Sequence, residues 1–395
     1  MTPAPTTSRP GLVNDLSVSA ITAGFVTVLV GVASSAAIVF QAAQALGATQ
    51  AQTASWIFAL GLALGLTCIG LSLRYRMPVV TAWSTPGAAM VVVSAGDISL
   101  QDATGAFVLS AALITLAGFS GYFARIIDRI PMALASGMLA GVLLPFGLDV
   151  FRSMQSQPVL ALSMLATYLL GRRFAPRYAV ILTLVVGVGV CAATGLLTGG
   201  GVSLDITRPE LVVPTFSLAS LGIALPLFIV TMASQNVPGI AVSRASGYDL
   251  PVSPVIGWTG LSNLVLAPLG AFAVNLAAIT AAICMGREAH EDASRRYVAA
   301  VAAGVFYLVT AVFGATVVAL FAALPKELVM AIAGLALLGT IGNGLATALR
   351  DETDREPALI TFLITASGVS LAGIGSAFWG VIGGGLALVL LRRTR

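Results

Sequence analysis

The chain has 395 residues, 58% of them hydrophobic and only 9% charged, with a mean hydropathy of +0.99. A soluble domain carries roughly 25% charged residues, so soluble globular and disordered classes are excluded and a polytopic helical membrane protein is expected. The net charge of +4 is explained below by orientation in the bilayer and gives no reason to invoke nucleic acid.

In chain order, apolar runs recur from Val18 to Leu391, and a run of about 20 residues at about 1.5 Å per residue crosses a hydrocarbon core of about 30 Å. Arg9 ahead of the first run imitates a secretory signal, but the run at 16–45 is too long for a signal h-region. An uncleaved first span is expected instead. The predicted spans are 16–45, 52–73, 78–95, 104–123, 131–148, 158–170 and 178–198, then 217–236, 252–269, 271–285, 297–323, 326–349, 357–373 and 376–391, fourteen in all.

The distribution of basic residues supports that number. With a cytoplasmic N-terminus, seventeen Lys and Arg fall on the cytoplasmic side and three, Arg152, Arg208 and Lys326, on the other. Cytoplasmic loops carry the excess of Lys and Arg. Dropping one span would swap the sides of every later cluster, so fourteen spans with both termini cytoplasmic are expected.

The spans divide into two halves. SVSAITAGFVTVLVGVASSAAIVFQAAQALG from Ser17 aligns without gaps with SLASLGIALPLFIVTMASQNVPGIAVSRASG from Ser217, and IPMALASGMLAG from Ile130 resembles LPKELVMAIAGL from Leu324. Seven spans per half is an odd number, so the second half enters the membrane from the opposite side. That is the inverted-repeat plan of secondary transporters, with a site near the midplane where interrupted spans meet. The expected fold class is therefore all-α with two inverted seven-span repeats, residues 1–198 and 217–395, joined by a loop at 199–216.

Two interrupted spans stand out. In MPVVTAWSTPGAAMV at 77–91, Pro78 and the β-branched Val79, Val80 and Thr81 suit an extended segment. Pro86 suits the first turn of a following helix, with Ser84 or Thr85 as its cap. The counterpart is GAFAVNLAAITAAICMG from Gly270, with a short stretch to Asn275 and a helix from about Leu276. Spans three and ten are thus read as part strand, part helix. Two half-helix N-termini aimed at one point make an anion site without a charged side chain, and irregular backbone at that depth is tolerated where it lines a cavity. The expected substrate-facing residues are Trp83, Ser84, Thr85, Pro86, Gly87 and Ala88 from the first break. Asn275, Leu276, Ala277 and Ala278 come from the second.

The eighth span adds TMASQNVPG, where Gln235 and Asn236 lie deep in an apolar run ahead of Pro238. Amides at that depth are either interhelical hydrogen-bond glue or substrate contacts. Their matches in the first span are Ser35 and Ala36, with Ser34 beside them, and Gln235, Asn236, Ser34 and Ser35 join the candidate site. Cys68, Cys191 and Cys284 are far apart in apolar runs and read as small packing residues, which fits neither a disulfide framework nor a metal site. No cofactor is implied. Glycine strings at 61–65 and 187–195 read as close helix packing rather than nucleotide motifs. No span holds a nucleophile–base pair or metal constellation, which argues against an intramembrane enzyme.

At AWSTPGAA (82–89), MASQNVPGIAV (232–242), NLAAITAAICMG (275–286), EAH (288–290) and GIGSAFWG (373–380) the sequence resembles the benzoate/proton symporter family, the BenE type, over essentially the whole chain. That family is similar in architecture to the uracil and sulfate transporters. The resemblance implies a core domain of spans 1–4 and 8–11, a gate domain of spans 5–7 and 12–14, and elevator-like alternating access. It implies proton-coupled import of benzoate or a related aromatic carboxylate through a bacterial inner membrane, with the lipid bilayer, protons and a second copy in a homodimer as partners. The alternative reading keeps the fold and changes the solute to another small anion or a nucleobase.

One departure matters. Uracil-type relatives place carboxylates in the eighth and tenth spans, whereas this chain has Gln235 and no acid between Asn275 and Met285. That suits a substrate bringing its own carboxylate, which a fixed negative charge would repel. The sixteen Asp and Glu residues fall in loops or at span ends, and the candidate proton-coupling groups are Asp97, Glu288 and His290, the single histidine.

Overall fold

The computed structural model describes residues 15–95, 98–127, 130–197, 206–314, 316, 324–369, 371 and 376–392. Helix α1 (Val18–Ala45) starts where the Ser17 hydroxyl accepts the Ala20 N–H, and α2 (Gln50–Tyr75) starts at a capping box made by Thr49 and Gln52. The chain then runs extended into strand β1 (Thr81–Trp83) and a short helix α3 (Thr85–Ser94). Helices α4 (Leu100–Phe119), α5 (Tyr122–Ile127), α6 (Met132–Ser156), α7 (Pro158–Phe174) and α8 (Ala179–Ala193) follow.

The second half opens with α9 (Leu218–Thr231), a π-helical turn (Met232–Asn236) and α10 (Val237–Ala245), and continues with α11 (Val252–Leu266). Strand β2 (Val274–Leu276) leads to the short α12 (Ile279–Met285). After it come α13 (Tyr297–Val312), α14 (Lys326–Ala348), α15 (Arg355–Ala366) and α16 (Ser376–Arg392).

The protein is a mostly helical membrane protein. Among the described residues seven helices are long and apolar enough to cross a membrane, or up to eight when α1, bent by 41° between Val18–Ala33 and Ile38–Ala45, counts as one span. Fourteen full-length helices are not what the described residues contain. Segments three and ten are each divided into strand and short helix, and α8 and α16 run only 15 and 17 residues.

Several boundaries differ from expectation, α6 running on to Ser156 instead of 148 and α15 ending at Ala366 instead of 373, and two further differences have a clear physical reason. The eighth segment continues past 236 to Ala245, because a π-helical turn absorbs Pro238, whose ring and missing N–H would break a regular ladder. Helix α12 begins at Ile279 rather than near Leu276, because the Leu276 and Ala277 N–H groups are already taken by the Asn236 Oδ1 and the Val80 carbonyl, both at 2.9 Å.

Helices α2 and α11 and the π-helical turn pack on the two strands, while α6, α7, α8 and α14 to α16 pack mainly on one another, with α10 also against α6. Missing side chains permit the closest crossings, as small residues do in membrane bundles. A Cβ on Gly61 of α2 would lie 2.9 Å from the Ala311 nitrogen of α13, and one on Gly118 of α4 would lie 2.2 Å from the Gly257 nitrogen of α11.

Candidate functional site

The strands β1 and β2, one from each half, pair antiparallel in the register Thr81 with Leu276, Ala82 with Asn275 and Trp83 with Val274. A two-stranded ribbon inside a bilayer leaves two rows of backbone groups unpaired unless its edges are covered. Here α2 covers one edge. Val79 bonds through its N–H to the Ser72 hydroxyl at 3.1 Å, the Thr81 N–H reaches the Cys68 Sγ at 3.2 Å, and the Thr67 and Thr81 hydroxyls meet at 2.7 Å. The π-helical turn helps to cover the other edge through Asn236, whose fully buried amide accepts from Leu276 and donates from Nδ2 to the Met232 sulfur at 3.2 Å. Trp56, Phe107 and Phe272 interlock with ring centroids 5.4 to 5.5 Å apart and fix the approach to β2.

Each strand feeds a helix start, and the two starts differ. At α3 the Ser84 hydroxyl accepts the Gly87 N–H at 3.0 Å and Pro86 has no N–H to offer. At α12 the cap position is Ala278, with no side-chain cap. Its first turn leaves N–H groups at Ile279, Thr280 and Ala281 without a partner among the described hydrogen bonds. Every α-helix begins with such orphan donors and a positive dipole end.

A cavity of about 90 Å³ opens at this second start. Its wall is formed by Val30, Gly31 and Ser35 of α1, Ala82, Trp83 and Thr85 of the first break, Gln235 of the π-helical turn, and Ala277, Ala278, Ile279 and Thr280 of the second break. Phe146 of α6 and Tyr307 of α13 complete it. A volume of this size is well below the roughly 300 Å³ at which drug-sized ligand sites begin, so the occupant is small. The wall residues are mostly apolar, with polar side chains at Ser35, Thr85, Gln235, Thr280 and Tyr307.

The structure therefore brings together Ser35, Trp83, Thr85, Gln235, Ala277 and Ala278 of the residues expected from sequence. Ser35 is internally engaged, donating to the Gly31 carbonyl at 2.6 Å and accepting from the Trp83 Nε1 at 3.0 Å. Ser84, Pro86, Gly87 and Ala88 build the capped start without lining the cavity, and a Cβ on Gly87 would press on Leu227 at 3.0 Å. Asn236, Asn275 and Leu276 are likewise committed to the ribbon, Asn275 donating to the Ala273 carbonyl at 2.7 Å. The helix position of Ser34 lies in α1, and its side chain is outside the described set.

Sequence reasoning missed Val30, Gly31, Ala82, Phe146, Ile279, Thr280 and Tyr307. The aromatic pair lies in apolar runs indistinguishable from packing or lipid-facing helix, and no local signal singles either out. Of the three proton-coupling candidates, Glu288 and His290 do not line the cavity. Glu288, with its side chain 7% exposed, pairs with Arg172 of α7 at 2.8 Å. His290 accepts the Asp292 N–H on Nδ1 at 3.0 Å. Asp97 lies outside the described residues. Among the described residues no three His, Cys, Asp or Glu side chains are grouped to hold a metal.

Comparison with known proteins matches residues 14–390 to the family model described as BenE, benzoate membrane transport protein. The chain is 51% identical over 370 residues to the inner membrane protein YdcO of Escherichia coli (strain K12), covering 93% of this chain and 95% of that one. It is 42% identical over 391 residues to the benzoate membrane transport protein of Acinetobacter baylyi, covering 99% of each. Among solved structures, SLC26A9 superposes with a TM-score of 0.52 at 14% identity over 96% of this chain and 66% of that one, a likeness of fold alone.

Proposed function

The chain belongs to the BenE family of benzoate membrane transport proteins, a family of transporters rather than enzymes, and from that premise we propose that it imports benzoate or a related aromatic carboxylate by secondary active transport. It acts as a multi-pass protein of the bacterial inner membrane, in keeping with the inner-membrane relative. The observation that carries the substrate reading is the cavity at the start of α12, where uncapped N–H groups and Gln235 adjoin the apolar Trp83, Val30 and Phe146. The carboxylate sits at the N–H groups of Ile279 and Thr280, which favour an anion without a fixed positive charge. The Gln235 amide orients it, and the ring lies against the apolar wall.

Fourteen segments in two inverted repeats, with both termini cytoplasmic, give the topology of this proposal. It is supported by the pairing of one strand from each half and by the seventeen-to-three asymmetry of basic residues. Helices α1 to α4 and α9 to α13 form the moving core, and α6 to α8 with α14 to α16 form the gate. The largely separate packing of these two groups supports an elevator-like movement between them. Phe146 is then the gate residue that meets the substrate.

The proton travels on the substrate. Benzoic acid resembles Glu in acidity, about pKa 4 unperturbed; it binds the open site as the anion, and desolvation when the apolar site closes favours uptake of a proton before it crosses. Uptake of labelled benzoate into proteoliposomes under an imposed pH gradient is expected to be electroneutral. It survives Asp97→Asn and Glu288→Gln in this account. A variant that still exchanges benzoate but is no longer driven by the gradient would assign the proton to that side chain instead.

A further inference from the structure

Two buried residues of the cavity wall, Thr280 and Tyr307, carry hydroxyls that take part in no described hydrogen bond. Tyr307 is 1% exposed, and among the described residues no hydrogen bond reaches its Oη. A buried tyrosine hydroxyl ordinarily finds a partner, because leaving one unmade is costly. Its position is fixed from two sides. A Cβ on Gly61 of α2 would lie 2.9 Å from the Tyr307 carbonyl, and one on Gly31 of α1 would lie 3.1 Å from its hydroxyl. The glycine at position 31, itself in the cavity wall, therefore leaves room for the hydroxyl. The nearby hydroxyl of Ser35 is not equivalent, since it already donates to Gly31 and accepts from Trp83.

We infer that Tyr307 is a substrate-recognition residue, its phenol donating a hydrogen bond to a carboxylate oxygen of the bound anion and selecting carboxylates over neutral analogues of the same ring. A hydroxyl donating to a carboxylate makes one of the stronger hydrogen bonds available. It does so here without placing a fixed charge in the membrane interior. The inference rests on the aromatic-carboxylate reading of the site.

The test is benzoate binding by calorimetry to the purified full chain, as wild type, Tyr307→Phe, Gly31→Ala and the double variant, each with its melting temperature. Tyr307→Phe keeps the ring and is expected to weaken benzoate about ten- to hundredfold with an unchanged melting temperature. Methyl benzoate, whose ester carbonyl is a neutral and weaker acceptor, loses less. Gly31→Ala crowds the hydroxyl and is expected to weaken benzoate in the wild-type background but add little to Tyr307→Phe.

Unchanged benzoate affinity in Tyr307→Phe overturns the inference, as does equal weakening of the ester and the acid. Independent, additive losses from the two substitutions overturn it as well. The same titrations include bicarbonate and sulfate. A wild type that ignores benzoate and binds one of these overturns the substrate reading, and the Tyr307→Phe loss measured on that anion then decides the role of the hydroxyl. Binding of none of the three overturns both.

Discussion

The two half-helix starts occupy corresponding places in the two halves, yet one is closed and the other open. At the α3 start, Ser84 spends its hydroxyl on Gly87 and Pro86 removes another donor. At the α12 start, Ala278 has no side-chain oxygen, the N–H groups of Ile279 and Thr280 have no partner among the described hydrogen bonds, and both residues line the cavity. Two strand-to-helix breaks thus do not make two equal anion sites. A helix start binds a ligand only where the protein has not already supplied the ligand's equivalent from its own side chains.

The largest effect expected from this difference comes from placing a carboxylate at the open start. Two like charges about 4 Å apart repel by about 4 kcal/mol at an effective dielectric of 20, so Ala278→Asp is expected to weaken benzoate about a thousandfold. Fluorescence-detected chromatography and calorimetry check that the variant folds and fails to bind. Next comes Gln235→Ala, which removes one hydrogen bond to a charged group, worth about 1.5–3 kcal/mol or roughly ten- to hundredfold in Kd. Normal affinity with a lower Tm would mark Gln235 as helix–helix glue instead.

Phe146→Ala opens the wall contributed by α6. Losing the aromatic contact costs about 0.5–1.5 kcal/mol, roughly two- to tenfold in benzoate affinity, while competition by two-ring carboxylates such as naphthoate improves. The smallest effect on binding is expected at the closed start. Ser84→Ala removes a cap worth about 1 kcal/mol of stability and lowers Tm, with benzoate affinity changed by less than about threefold. A large loss of affinity in Ser84→Ala with a small one in Ala278→Asp would reverse the assignment of open and closed starts.

The interruptions at 78–86 and 270–276 are legible in the sequence because proline, glycine and β-branched residues conflict with a continuous apolar helix. The capping serine is legible for the same reason, since Ser ahead of Thr-Pro-Gly is a helix-start signal. What the sequence does not reveal is which donors remain free once the cap has closed. That depends on Ser84 meeting Gly87 and on Asn236 reaching forty residues along the chain to Leu276. Asn236 and Gln235 are neighbours in one polar pair, and only the π-helical turn separates them, one into the ribbon edge and the other into the cavity wall. Phe146 and Tyr307 escape notice because an aromatic in an apolar run has the same pattern whether it faces lipid, core or ligand.

The central claim is that the carboxylate lies at the α12 start and not at the α3 start. Solid-state NMR with carboxyl-¹³C benzoate bound to protein labelled with ¹⁵N-isoleucine, and separately with ¹⁵N-glycine, measures this directly through the dipolar coupling of carboxylate carbon to backbone nitrogen. The account predicts dephasing with the isoleucine label that disappears in Ile279→Val, and no dephasing that depends on Gly87. Dephasing with the glycine label that disappears in Gly87→Ala, with none from isoleucine, would contradict it.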